Sequence, residues 1–406
     1  MKNAQSGSIA HVAAVLAARS IIVFTAAAAW AQSGSEPAAS GGSVMRGWRI
    51  FHEKRCVDCH AIWGQGGHLG PDLGRLRAGR LTEGQLAGVM WNHIPKMLGQ
   101  MRETGRPPVT LTEAEMDDLF ALLFFVRQLD EQGDPLRGEE ILRAKGCSSC
   151  HETDASGASV GPDLAKWTQY ANPIMWAQLM WEHAPMMEEA MKRNNITWPK
   201  LDGADLVHIV AYVRSSGVTG EKTYLRPGSV DVGKRLFREK QCGACHPGLG
   251  PDLATTDLPP SVGSLASRMW NHSPSMMRVM RERDVARQPL APQELADIIT
   301  YILALGYVDR GGDVGRGQQV FATKGCVQCH EPSDVSAAGG PPVAQLGAMA
   351  TPVRMASAMW NHGEAMLERM TEAGLAWPVF SNNETVDLLA YLRTLTAEAP
   401  SADKVP

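Results

Sequence analysis

The residues best placed to do chemistry are the eight cysteines. All of them fall in Cys-x-x-Cys-His units: Cys56/Cys59/His60, Cys147/Cys150/His151, Cys242/Cys245/His246 and Cys326/Cys329/His330. Disulfides would suit an exported chain but leave four histidines unexplained. Structural zinc needs four ligands, and each unit offers three. The spacing fits covalent heme attachment best. Two thiols add across the two vinyl groups of a heme as thioethers, and the histidine after the second cysteine is carried beneath the iron. The expectation is four heme c groups. They would be attached at Cys56 and Cys59, Cys147 and Cys150, Cys242 and Cys245, and Cys326 and Cys329. His60, His151, His246 and His330 would be the proximal axial ligands.

Something must position these units, and the chain repeats around them. The first cysteines stand roughly 90 residues apart. Each unit is preceded by a Gly and a short amphipathic stretch beginning at Gly47, Gly138, Gly233 or Gly317. In three repeats a Phe follows four residues on: Phe51, Phe237 and Phe321. After the unit comes a turn: Gly70-Pro71-Asp72-Leu73, Gly161-Pro162-Asp163-Leu164, Gly250-Pro251-Asp252-Leu253 and the looser Gly340-Pro341-Pro342-Val343. A Met-Trp-Asn/Glu-His segment and a Met-rich stretch lead to a final helix, as in the apolar spacing of Leu206, Ile209, Val210 and Val213. Thr112-x-x-Glu115 and Ser381-x-x-Glu384 have the capping-box pattern. Period-two alternation is almost absent, so the fold class is all-α: four tandem heme domains at 44–131, 132–222, 226–309 and 311–396.

With these features in hand, the chain resembles the class I cytochrome c family, repeated four times. The aromatics Phe125, Tyr212, Tyr301 and Tyr391 near the ends of the final helices add to the likeness. The resemblance implies that first and last helices cross at the heme edge. It also implies that a Gly-Pro carbonyl accepts a hydrogen bond from the proximal imidazole, a role falling on Pro71, Pro162, Pro251 and Pro341.

The chain departs from that family where the distal ligand should be. The usual Met-Pro before the last helix is replaced by Arg106-Pro107, Trp198-Pro199, Gln288-Pro289 and Trp377-Pro378. Substitutes recur around the histidines His93, His183, His272 and His362. Met101, Met191, Met280 and Met370 stand eight residues on and are the favoured distal ligands. Met97, Met187, Met276 and Met366, four residues on, share the same helical face and are the alternative. The histidines are a third choice. Met90, Met180, Met269 and Met359, three residues before, complete the candidates, and in each repeat at least one of the three methionines is expected to pack the core instead. Trp91, Trp181, Trp270 and Trp360 are expected to wall the heme pockets, which accounts for a chain with 11 tryptophans and 20 methionines.

Length and composition set the compartment and partners. The 406 residues are 44% hydrophobic and 20% charged, as in globular proteins. Lys2 and Arg19 precede an apolar run from Ile21 to Ala29, and Ala29-Trp30-Ala31 suits signal cleavage. Residues 1–31 are therefore expected to be a signal peptide, 32–43 a flexible linker and 397–406 a flexible tail. Cleavage would take the net charge from −4 to −6. No basic stripe invites nucleic acid, and no later segment is apolar enough to span a bilayer. The expected product is periplasmic or otherwise exported, and soluble after cleavage. It would be an electron carrier and not an enzyme, with redox proteins as donor and acceptor and a membrane respiratory complex among the candidates. The alternatives are a cytochrome subunit of a dehydrogenase or oxidase complex, or a multiheme oxidoreductase with one open heme.

Overall fold

The computed structural model describes residues 41–76, 81–153, 160–170, 172–216, 223–330, 340, 342 and 351–397. The expected signal peptide and all but the last three residues of the 32–43 linker lie outside the described residues, as does 398–406 of the tail. The described residues hold twelve α-helices, three around each Cys-x-x-Cys-His unit, and a two-stranded hairpin pairing Ala61–Ile62 with Gln65–Gly66.

The first helix of each repeat is short: α1 (Val44–Glu53), α4 (Pro135–Ala144), α7 (Val230–Glu239) and α10 (Val314–Thr323). Ser43, Asp134, Ser229 and Asp313 cap them by accepting first-turn amides. Each helix then runs through a left-handed residue, Arg55, Gly146, Gln241 or Gly325, into a 3₁₀ turn that begins at the first cysteine.

The last helices are α3 (Glu113–Val126), α6 (Asp205–Ser216), α9 (Pro292–Ala304) and α12 (Glu384–Ala397). They cross the first helices at the repeated glycine. A Cβ on Gly47, Gly138, Gly233 or Gly317 would stand 2.0 Å from the carbonyl oxygen of Asp118, His208, Asp297 or Asp387. No side chain fits there, and this close approach is why glycine recurs. The same last-helix residues reach back: Asp118, Asp297 and Asp387 accept the amides of Ser43, Ser229 and Asp313, and His208 Nδ1 accepts that of Asp134.

Between first and last lies a central helix of 21 residues: α2 (Glu83–Glu103), α5 (Pro173–Arg193), α8 (Val262–Glu282) and α11 (Pro352–Glu372). The extensive helix contacts between repeats all run through these helices, joining repeat one to four and repeat two to three. One apolar core accordingly draws Trp91, Ile94 and Phe120 together with Met355, Phe380 and Leu389. The other draws Trp176, Ile209 and Val213 together with Leu265, Trp270 and Ile299. The two pairs meet reciprocally. At the end of repeat one, Gln128 O and Asp130 Oδ2 accept the amides of Val262 and Gly263 at the start of α8, at 3.0 and 2.7 Å. At the end of repeat three, Tyr307 O and Asp309 Oδ2 accept those of Glu83 and Gly84 at the start of α2, both at 2.9 Å. Repeat one thus holds the start of α8 by the same kind of contacts with which repeat three holds the start of α2.

Candidate heme sites

The attachment turn is the same in every repeat. The amides of Cys59, Cys150, Cys245 and Cys329 donate to the carbonyls of Cys56, Cys147, Cys242 and Cys326, each at 3.2 Å. The amides of His60, His151, His246 and His330 share those carbonyls at 3.0, 2.9, 3.1 and 2.8 Å. This tight turn brings both thiols and the imidazole of a unit together. None of the eight cysteines is in a disulfide: neither Cys150 with Cys147, nor Cys245 with Cys242, nor either pair at 56/59 and 326/329. The first cysteine of each pair packs against the core. Burial pushes the Cys56, Cys242 and Cys326 thiols up to about 11 and raises that of Cys147.

On the proximal side, His60 Nδ1 donates to Pro71 O at 3.0 Å, His151 to Pro162 O at 2.9 Å and His246 to Pro251 O at 2.9 Å. A carbonyl only accepts, so Nδ1 carries the proton and Nε2 keeps its lone pair, the state a metal-binding imidazole needs. Pro341 lies outside the described residues. The glycine before each proline presses on the ring. A Cβ on Gly70 would come within 2.4 Å of His60 Cε1, and on Gly161 or Gly250 within 2.6 Å of the corresponding Cε1 of His151 or His246. A Cβ on Gly340 would stand 2.0 Å from the carbonyl oxygen of Cys329. The donor set and the shape of the cradle fit heme c in each repeat where they are described.

Repeat four borders a half-open cavity of about 340 Å³. Cys326, Cys329 and His330 line it, as do Met359, His362, Met366 and Met370 of α11. The four- and eight-residue methionines of all four repeats are half-buried on their central helices: Met97 and Met101, Met187 and Met191, Met276 and Met280, Met366 and Met370. The second histidines sit in mid-helix rather than at helix ends. His93, His183 and His362 donate Nδ1–H to the carbonyl four residues back, Val89, Leu179 and Ala358, at 2.7, 2.8 and 2.8 Å. Arg106, where the usual methionine would precede a proline, pairs with Asp58 at 3.0 Å and lies 3.9 Å from Cys59 Sγ.

The tryptophans do something the repeat pattern did not disclose. Trp91 donates Nε1–H to Pro378 O and Trp270 to Pro199 O, both at 2.7 Å, while Trp360 reaches Val109 O at 2.8 Å and Trp181 reaches Gln288 O at 3.4 Å. Every acceptor belongs to the paired repeat. The next residue completes the grip. Asn92, Asn271 and Asn361 pair through both amide atoms with the backbone of Phe380, Leu201 and Leu111. Glu182 has no amide to donate; it accepts from Leu290 N, and Gln178 supplies the donor to Leu290 O. Each central helix therefore clamps the stretch before its partner's last helix. Trp91 also lines the cavity of repeat four, so the wall it forms belongs to the other repeat.

Stacking follows the same rule. Trp377 lies on Trp91 and Trp198 on Trp270, each pair with ring centroids 4.1 Å apart, and the Arg287 guanidinium lies 4.0 Å over Trp181. Proline explains the rest. Pro95 and Pro274 stand inside α2 and α8 and lack the amides that would bond to the carbonyls of Trp91 and Trp270. Those carbonyls accept instead from Trp377 Nε1 at 3.3 Å and Trp198 Nε1 at 3.2 Å.

Three-helix units built around Cys-x-x-Cys-His, each with paired thiols and an oriented imidazole, define a multidomain c-type cytochrome. The chain belongs to the cytochrome c family, which it matches at residues 44–129, 136–217 and 314–396, more than half its length. The third repeat is not among the matched segments, although its helices and proximal hydrogen bond follow those of the others. Such domains carry covalent heme c and transfer electrons through it, and the four cysteine pairs fit four such sites. Among curated proteins it is similar to the C subunit of nitric oxide reductase from Stutzerimonas stutzeri, 26% identical over 96 residues. The corresponding protein of Halomonas halodenitrificans is 28% identical over 97 residues. Each alignment covers 23% of this chain and 64% or 65% of the relative. No solved structure matches significantly. Among the described residues no helix is long and apolar enough to cross a membrane.

Proposed function

We propose that this chain is an exported tetraheme electron relay, not itself an enzyme. Residues 44–131, 132–222, 226–309 and 311–396 each form one heme domain behind a signal peptide at 1–31. The hemes are attached at Cys56/Cys59, Cys147/Cys150, Cys242/Cys245 and Cys326/Cys329. His60, His151, His246 and His330 ligate the irons from the proximal side. Met101, Met191, Met280 and Met370 are the favoured distal ligands, with Met97, Met187, Met276 and Met366 the alternative. Pro71, Pro162, Pro251 and Pro341 fix the imidazole tautomer and strengthen the ligand. Bound heme supplies one-electron exchange between ferrous and ferric iron, and thioether ligation favours the ferrous state relative to a second histidine.

The observation that carries this reading is the cavity of repeat four, whose lining includes His330 together with Met366 and Met370 of α11. With His330 and one of these methionines as the two axial ligands, the iron would keep no open position for substrate. The half-buried methionine pairs in the other repeats support the same arrangement. Donor and acceptor are redox proteins. The relatives are named as subunits of a reductase, which favours as a second reading that the chain docks on an oxidoreductase complex.

The test is optical. Carbon monoxide is added to the purified, reduced holoprotein. Unmoved heme bands are expected; a shift in part of the heme would reveal an open iron and turn the reading toward an oxidoreductase. Co-purification with a partner in fixed ratio would favour docking on a complex.

A further inference from the structure

The four repeats are consecutive in sequence but not in packing. Repeats one and four share one apolar core, and repeats two and three share the other. The repeated Trp-Asn/Glu clamps cross only within these pairs. One consequence touches the sites directly. Trp91 is 3% exposed and belongs to α2, the helix that carries Met97 and Met101 of repeat one. Its ring nevertheless lines the cavity that holds Cys326, Cys329 and His330 of repeat four. The residue is held there from three directions: its Nε1–H by Pro378 O, its face by Trp377, and its carbonyl by Trp377 Nε1.

From this geometry we infer that Trp91 of repeat one walls the heme of repeat four, and that the four hemes are redox-coupled as two non-sequential pairs, one with four and two with three. The inference rests on the electron-relay reading. A ring in contact with a heme from the neighbouring repeat couples the two sites mechanically. A shared apolar core also screens charge poorly, so oxidation of one iron is felt more strongly by the heme across that core than by one across the seam, where the Asp130 and Asp309 carboxyls stand beside Phe124 packed on Tyr307 at 4.6 Å. Electrons would then equilibrate first between repeats one and four and between two and three. Transfer from pair to pair would cross the seam where Gln128 and Asp130 meet α8, and Tyr307 and Asp309 meet α2. Counting along the chain gives the wrong order of neighbours.

Proton NMR of the full-length holoprotein tests this. The expected result is through-space contact between the Trp91 indole protons and the heme attached at Cys326 and Cys329. A potentiometric titration of Trp91→Phe, which keeps an aromatic wall, is expected to shift the potential of heme four. In the unaltered protein, the potentials of hemes one and four should depend on each other's oxidation state more than those of hemes one and two. Indole contacts to the heme of repeat one alone, or to none, in a fully loaded chain would overturn the pairing and leave the relay reading standing. Absence of heme at Cys326 and Cys329 would overturn both.

Discussion

At the scale of single residues, the chemistry was legible because it is contiguous. Cys-x-x-Cys-His places three reacting groups within five positions, and no tertiary information is needed to see it. The Gly-Pro turns were legible as a repeated pattern and the role of their carbonyls through resemblance, and the structure adds the reason for the glycine. A methyl group on Gly70 would lie 2.4 Å from His60 Cε1, so the imidazole would have to tilt away from Pro71 O. Gly70→Ala is therefore expected to cost about 1–3 kcal/mol and to disturb the spectrum of one heme, read by thermal melting and heme absorption. Gly315→Ala is the contrasting case. It lies in the first turn of α10 with only Asp313 Oδ1 near, at 3.4 Å, and should be neutral or stabilising by up to about 1 kcal/mol. The tryptophans were expected to wall the heme pockets; Trp91 lines a cavity, and that cavity belongs to the paired repeat. Their partners lie far away in sequence, 287 residues in the case of Trp91 and Pro378, and no local pattern encodes that.

At the scale of elements, the helices followed from their apolar spacing and caps, and the Thr112 capping box forms. What sequence alone did not explain was a proline in mid-helix. Pro95 removes the amide that Trp91 O would use, and the indole of Trp377 takes its place at 3.3 Å. Trp377→Phe keeps the ring but strands that carbonyl, an expected loss of about 1–3 kcal/mol in denaturant unfolding. Adding Pro95→Ala returns an amide to the helix. The double variant should recover much of the loss, so the two changes should be clearly non-additive. Repeat four fits the same logic. Its helix α11 has Glu364, not proline, at the equivalent position, and the residue before Val109, the acceptor of Trp360, is Pro108, which has no amide or side-chain donor to offer.

At the scale of the whole molecule, the number of repeats was plain in the sequence and their partnership was not. The reciprocal seam between pairs is also where carboxyl groups are buried. Glu83 opens α2, where the helix dipole favours a carboxylate. Burial and the nearby Asp309 and Asp117 outweigh that and push its carboxyl up to about 8. Asp309 is raised as well, mainly by burial. Glu83 Oε1 and Asp309 Oδ1 are both buried without a hydrogen-bond partner. A carboxyl whose pKa is higher folded than unfolded holds its proton better when folded. Its contribution therefore favours folding at acid pH and is lost as pH rises from about 4.5 through 8. The melting temperature should fall across that window, and Glu83→Gln should flatten the slope; an unchanged slope in the variant would assign the pH dependence elsewhere.

The relay itself is tested most directly by counting electrons. In a coulometric titration of the holoprotein, with band changes followed at each potential, four reversible one-electron steps per chain are expected, one for each Cys-x-x-Cys-His unit. Fewer than four, or charge consumed without reversal, would contradict an electron relay built on four hemes.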